Sequence, residues 1–403
     1  MTRYNRPRTR ISSERYIALA LALLGQPILN ADETSWKLPE IGPGIINLDA
    51  RLRYEHNGSD AGTDSINGLG LRTRLGYTWD WEGSLSSQVE IEDLHFIESE
   101  NRPPLDVPTT EVNQAWIDFE GLKLGRQVYT LDDHRFIGHV GWRQNIQSFD
   151  SLTGIFKPDQ STNLNFAFLD SVNRINATRQ DLAGVIANGT RKFSETLALT
   201  AFAYLLDFEQ PTLSSSDTIG MRATGVLKHD QNSLGYAISY ATQNDNSGST
   251  IPFDLDYLAG EITGSANGST IAFGFEFLEG DGTSGFSTPL ATVHKFNGFA
   301  DQFAGASLGL AGGLTQGLKD YYVRYSGEVA NLDIPITISY HRFEAENLAD
   351  FLGNEFDLVA SYKLNDHTQI VSKYASYHSD GQENVVYGGF DKTVFTFELN
   401  ISY

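Results

Sequence analysis

D-K-T-V-F-T-F-E-L-N-I-S-Y, residues Asp391 to Tyr403, alternates strictly along its length. Thr393, Phe395, Phe397, Leu399, Ile401 and Tyr403 fall on one face of a strand, and Val394, Thr396, Glu398, Asn400 and Ser402 on the other. One greasy face, one polar face and an aromatic last residue are what a transmembrane β-barrel needs in its closing strand. Pairing with the first strand then leaves no edge, and lipid tolerates no unpaired backbone edge. A half-buried strand of a soluble sandwich shows the same alternation, so the rest of the chain has to separate the two.

The other end of the chain favours export. Arg3, Arg6, Arg8, Arg10 and Arg15 precede the apolar run Y-I-A-L-A-L-A-L-L-G, Tyr16 to Gly25, and Leu29-Asn30-Ala31 offers a cleavage site. A basic flank, a short apolar core and a small residue before the cut define a secretory signal. The expected organisation is a signal peptide at 1–31, a lead-in at 32–44 and one barrel at 45–403. Residues 1–31 carry five of the 29 basic and one of the 51 acidic residues, so the mature chain holds 24 against 50, a net charge of −26. That acidity argues against nucleic acid as a partner. The chain has no cysteine; a large barrel closed by main-chain hydrogen bonds does not need disulfides.

Alternating segments predict eighteen strands, near 45–56, 67–79, 82–96, 112–119, 121–128, 147–157, 161–173, 182–190, 194–208, 217–228, 232–243, 254–265, 268–278, 318–329, 334–344, 354–364, 367–378 and 391–403. After even strands the connections are tight turns, such as Asp80-Trp81, Asp230-Gln231 and Asn365-Asp366. After odd strands they are long: 57–66, 97–111, 129–146, 209–216, 244–253, 279–317, 345–353 and 379–390. Short turns at one end and long loops at the other are the outer-membrane arrangement, and a sandwich has no reason to sort its connections this way. The fold expected is all-β, a closed antiparallel transmembrane β-barrel of about 18 strands, in a Gram-negative type of outer membrane. Trp79, Trp81, Tyr321, Tyr325, Tyr340 and Tyr403 lie near strand ends, where amphipathic rings favour the membrane interface.

In the first strand Ile46, Leu48, Ala50, Leu52 and Tyr54 oppose Asn47, Asp49, Arg51, Arg53 and Glu55; in the second, Leu69, Leu71 and Leu75 oppose Arg72 and Arg74. An Arg facing lipid at mid-depth costs about 2–4 kcal/mol, so these polar faces look into the lumen. Arg51, Arg53, Arg72, Arg74, Arg126, Arg135 and Arg143 are the candidates for lining the solute path. Guanidinium groups keep their charge and grip carboxylate or phosphate bidentately. The competing reading is internal pairing: Glu90 and Glu92 share the lumen face, the turn at 80–81 sets Arg72 across from Gln88 or Glu90, and Asp49, Glu55 and Asp118 also point inward. The ninth and seventeenth strands alternate poorly.

Loop 129–146 carries His134, Phe136, His139 and Trp142 with Arg135 and Arg143, and its apolar anchors Phe136, Ile137 and Val140 are out of place in a solvated loop. It is expected to fold into the barrel and form the constriction. Asp132, Asp133 and His134 invite an acid–base reading, but no nucleophile stands beside them in a recognisable pattern. The His134 and His139 spacing fits no strong metal motif. No catalytic residue, metal or cofactor is expected.

L-K-L-G-R-Q-V-Y-T-L-D-D-H-R-F-I-G-H-V-G-W-R-Q-N-I-Q-S-F-D, residues 122–150, resembles the alginate-export family of outer-membrane β-barrels, and P-L-A-T-V-H-K-F-N-G-F-A-D-Q-F, residues 289–303, is similar to a second segment of that family. The resemblance implies an eighteen-stranded monomeric barrel passing an anionic polysaccharide or its oligomers through an Arg-lined pore. The partners it implies are outer-membrane lipid and an anionic saccharide or small anionic solutes. The chain departs from the family's exporter at the turn that carries a long plug there; here it is Asn365-Asp366. Two other functions compete, an outer-membrane barrel enzyme and a closed structural or adhesive barrel.

Overall fold

The computed structural model describes residues 44–403, apart from 62–64, 82–83, 101–102, 104, 210–214, 247–250, 311–312, 330–331, 333, 349 and 381–388. The expected signal peptide lies outside the described residues, as does the lead-in except for Gly44. Eighteen strands follow one another: β1 Gly44–Ser59, β2 Ile66–Trp81, β3 Leu85–Glu100, β4 Thr110–Phe119, β5 Leu122–Gln127, β6 Ser148–Asp159, β7 Thr162–Asn173, β8 Arg179–Ser194, β9 Leu197–Phe208, β10 Ser216–His229, β11 Asn232–Asp245, β12 Asp254–Ala266, β13 Ser269–Leu278, β14 Leu318–Val329, β15 Ile334–Glu344, β16 Phe351–Asn365, β17 Thr368–Ser379 and β18 Lys392–Ser402.

Each strand pairs antiparallel with its neighbours in sequence, and β18 pairs with β1, so the sheet closes on itself. In that seam Leu52 faces Leu399 and Tyr54 faces Phe397, which joins the two greasy faces read from the sequence. The short turns gather at one end of the barrel and the long connections at the other, as the connection lengths required.

Outward positions form the belt a membrane demands. Leu75, Ile117, Leu124, Phe168, Ile238 and Phe273 are all exposed on the outer face. Trp81, Tyr321, Tyr340 and Tyr403 are exposed aromatics of the kind that sit at an interface. The inner face divides into two kinds of wall. On β1 to β3 it is charged, with Arg53, Glu55, Arg72 and Glu92 buried. On β7 to β9 and β12 it is apolar: Leu169, Leu182, Ile186, Phe202, Tyr204, Leu206, Leu255 and Tyr257 join one buried core. Side chains pointing into a water-filled lumen would not be apolar. They are covered by the long loops after β5 and β13, which enter the barrel and complete the core with Ile137, Phe286, Leu290 and Phe303.

Candidate functional site

The loop between β5 and β6 is anchored by its own apolar residues. The Phe136 ring lies 5.0 Å from Phe202, 5.4 Å from Tyr257 and 6.3 Å from Phe286, between centroids. Ile137 is buried and forms a parallel bridge with Leu290 of the loop between β13 and β14. Thr292 donates its N–H to the His134 carbonyl at 3.0 Å, and its hydroxyl accepts the Val140 N–H at 3.0 Å. That contact holds Val140 at a φ of +55°, a strained value for a β-branched residue. The two loops are therefore one folded unit against the inner wall of the barrel, with Phe136 packed in its core.

Charge fixes the unit to the wall. Arg135 is buried and donates to Glu276 of β13 at 2.7 Å, to Thr288 at 3.1 Å and to Asn297 at 3.4 Å. Arg143 reaches Glu55 at 3.2 Å and Asp301 at 3.3 Å, with Asp106 at 3.9 Å. Burial works against the Arg143 charge, but these carboxylates outweigh it and hold the guanidinium further above its ordinary range. Trp142 stacks on His294, centroids 4.0 Å apart and planes 2° apart. The Arg53 guanidinium lies 3.8 Å from the same indole, and the Lys373 ammonium 3.5 Å from it.

His294 sits at a polar junction. Its Nδ1 lies 2.8 Å from Asp301 and its Nε2 3.3 Å from Lys373 Nζ. Burial pushes the imidazole down to about 3, so the ring is neutral, donating to Asp301 and accepting from Lys373. Burial would raise the Asp301 carboxyl, but the His294 hydrogen bond and Arg143 overcome it and leave the group well below the usual carboxylate range. His139 is also driven down by burial, to about 4, and its ring meets His134 edge-on at 5.1 Å. Among the described residues no cluster of three or more His, Cys, Asp or Glu is placed to hold a metal ion.

The seven arginines do not form a free ladder. Arg51 donates to Asn400 at 2.8 Å and to the carbonyls of Gly141, Trp142 and Arg143 at 3.1–3.3 Å. Arg53 donates to the Trp142 carbonyl and pairs with Glu55 at 2.8 Å. Arg72 pairs with Asp49 and Arg74 with Glu92. The expected partners of Arg72 are corrected: β2 runs on to Trp81 and turns after it, so Arg72 lies across from Leu94 and Arg74 across from Glu92. Arg126 is a second correction. Leu122 and Leu124 point outward, and the period of two carries Arg126 outward with them, level with Ala115. It avoids the lipid penalty at the long-loop end of β5, bound to both oxygens of Asp150 at 2.7 and 3.1 Å.

The acid–base candidates are likewise engaged. Asp133 pairs with Arg222 and Asp132 accepts from Asn188 at 2.7 Å. The residues that sequence reasoning missed are lysines. Lys295 is exposed, donates to the Asp133 carbonyl at 3.0 Å, and has no carboxylate within 4.0 Å among the described residues. Lys373 on β17 likewise has none among the described residues. The 289–303 segment already contained His294, Lys295, Asn297 and Asp301, but nothing in their spacing tells which cation the fold leaves unpaired.

Residues 44–162 match the family model for alginate export. This bears out the resemblance over β1 to β6, the stretch that carries the first of the two quoted segments. Among solved structures, Pseudomonas aeruginosa OpdK with vanillate superposes with a TM-score of 0.69 at 15% identity, covering 89% of this chain and 99% of that one. Acinetobacter baumannii OccAB2 gives 0.70 at 14%, covering 89% and 98%. Pseudomonas aeruginosa OccK9 (OpdG) gives 0.69 at 14%, again covering 89% and 98%. No match was found among curated proteins. The chain shares the closed eighteen-stranded β-barrel fold of these outer-membrane porins.

Proposed function

We propose that this barrel carries anionic solutes, acidic saccharides and their oligomers, across the outer membrane as a monomer. The observation that supports it most is the pair of lysines at the loop unit. Lys295 in the 293–299 turn and Lys373 packed against it have no carboxylate within 4.0 Å among the described residues, whereas the inward arginines are bound to carboxylates or carbonyls. In a lumen walled by low-dielectric protein, unpaired positive charge concentrates anions. The acidic net charge of the chain does not oppose this, because exposed charges are screened within about 8–10 Å at ordinary salt. The family match points to the same class of solute. A channel accounts for the site better than an enzyme, since Asp132 and Asp133 are taken up in structural contacts.

Liposome swelling tests the reading. Vesicles holding the purified barrel should admit galacturonate and its dimer faster than maltose-series sugars of equal size. Equal rates, or faster entry of the neutral sugars, would refute it.

A further inference from the structure

Between the 293–299 turn and the inner faces of β10, β12 and β14 lies a cavity of about 410 Å³. That is at the small end of ligand sites, which run from about 300 to 1,000 Å³. Three cations line it. Arg222 is held by Asp133 and, at 3.3 Å, by Ser239. Arg324 is held at 2.5 Å by Glu261, and the Tyr322 hydroxyl donates to the same carboxylate oxygen at 2.8 Å. Among the described residues Lys295 donates only to the Asp133 carbonyl, which leaves two of its three N–H groups for a ligand. Opposite stand Glu276 and Asp320, both buried. Glu276 is occupied by Arg135, Tyr257 and Asn297; Asp320 by His341 at 3.0 Å and Asn297 at 3.3 Å. The apolar side is Phe296 and Phe299. Ala237 and Glu261 also line a second cavity, of about 330 Å³, together with Lys192 and Glu195 beside the β8–β9 turn. The second cavity thus adjoins the same stretch of wall, nearer the short-turn end.

We infer that this cavity is a binding station for one anionic group at a time, with Lys295 holding the carboxylate of a small hydroxylated solute. Every other lining cation is already paired, so a first carboxylate meets Lys295 and a second meets Glu276 or Asp320. Like charges in such a space repel strongly. The hydroxyls of the solute are served by the Ser239 and Tyr322 hydroxyls that line the cavity. The inference rests on the anion-channel reading and narrows it: charge is admitted singly at this point.

D-gluconate and D-glucarate test it, having the same carbon skeleton with one carboxylate and two. Each is added to the wild-type barrel in a planar bilayer, and current interruptions give the dissociation constant. Gluconate should bind, and glucarate should bind at least about tenfold more weakly. Lys295→Gln should weaken gluconate about tenfold while Lys295→Arg keeps most of the affinity, both variants being checked for the heat-modifiable mobility of a folded barrel. Glucarate binding as well as gluconate, or Lys295→Gln leaving gluconate unchanged, would overturn the station. The reversal potential of the same channels separates the two claims. A cation-selective channel still blocked by gluconate through Lys295 keeps the station and removes the channel reading. An anion-selective channel indifferent to Lys295 does the reverse.

Discussion

Trp142 and His294 lie parallel at 4.0 Å, a stack that joins the loop after β5 to the loop after β13 beside the Ile137–Leu290 bridge. Arg53 and Lys373 also lie against the indole, so barrel wall and both loops meet on a single side chain. Trp142→Ala should loosen the loop unit without unfolding the barrel, whose main-chain ladders do not depend on it. The loss should fall below the about 3–5 kcal/mol of a fully buried aromatic, since Trp142 is only half-buried. Larger and noisier single-channel conductance with unchanged heat-modifiable mobility is the expected result.

The Arg135–Glu276 pair is buried on both sides. Removing one partner leaves an unpaired buried charge, at a cost of about 3–5 kcal/mol to loop docking. Arg135→Met should therefore raise hydrogen exchange across 129–146 and 286–300. Glu276→Met in the same chain should recover much of the protection, because two apolar residues leave no orphan charge. Equal exchange in the single and double variants would show that the pair is not what docks the loop.

Gly298 has a φ of +83°, and a Cβ there would stand 2.5 Å from the Glu355 carboxylate. The turn needs this conformation to bring the Ala300 N–H onto Glu355 at 2.6 Å. Gly298→Ala should disturb the turn carrying Lys295, and Asn297→Ala less so in conformation. Protease sensitivity within 293–303 is the measurement, and it should rise in the glycine variant first.

Acid should loosen the unit. An unfolded histidine takes up a proton below its ordinary 6.5, but folded His294 does so only near about 3 and His139 near about 4. The unfolded segment thus binds more protons between these limits, so docking is strongest above pH 6.5 and weakens as the pH falls toward 4. Asp301, held low, begins to contribute only below its ordinary 3.8. Conductance fluctuations should grow between pH 7 and pH 4.5. His294→Gln should flatten much of that change, its amide keeping a donor and an acceptor.

The strand count and the sorting of turns were legible because the outward face must be apolar on every strand, and a period of two survives in the sequence. The inward face carries no such rule. Phe202, Tyr204, Leu206 and Phe208 made β9 read as poorly alternating because a loop distant in sequence covers them. Arg126 was misplaced by counting it with the arginines of the loop instead of with Leu122 and Leu124 of its own strand. Which cation stays unpaired depends on contacts spanning the chain, such as Arg135 with Glu276, and no local pattern encodes them.

The reversal potential in a KCl gradient tests the central claim most directly. The account predicts an anion-selective wild-type channel, with the permeability ratio falling in Lys295→Gln and Lys373→Gln and falling furthest in the double variant. A cation-selective wild-type channel, or a ratio unmoved by both lysines, would contradict it and leave the acidic groups of the lumen and loops to set the selectivity.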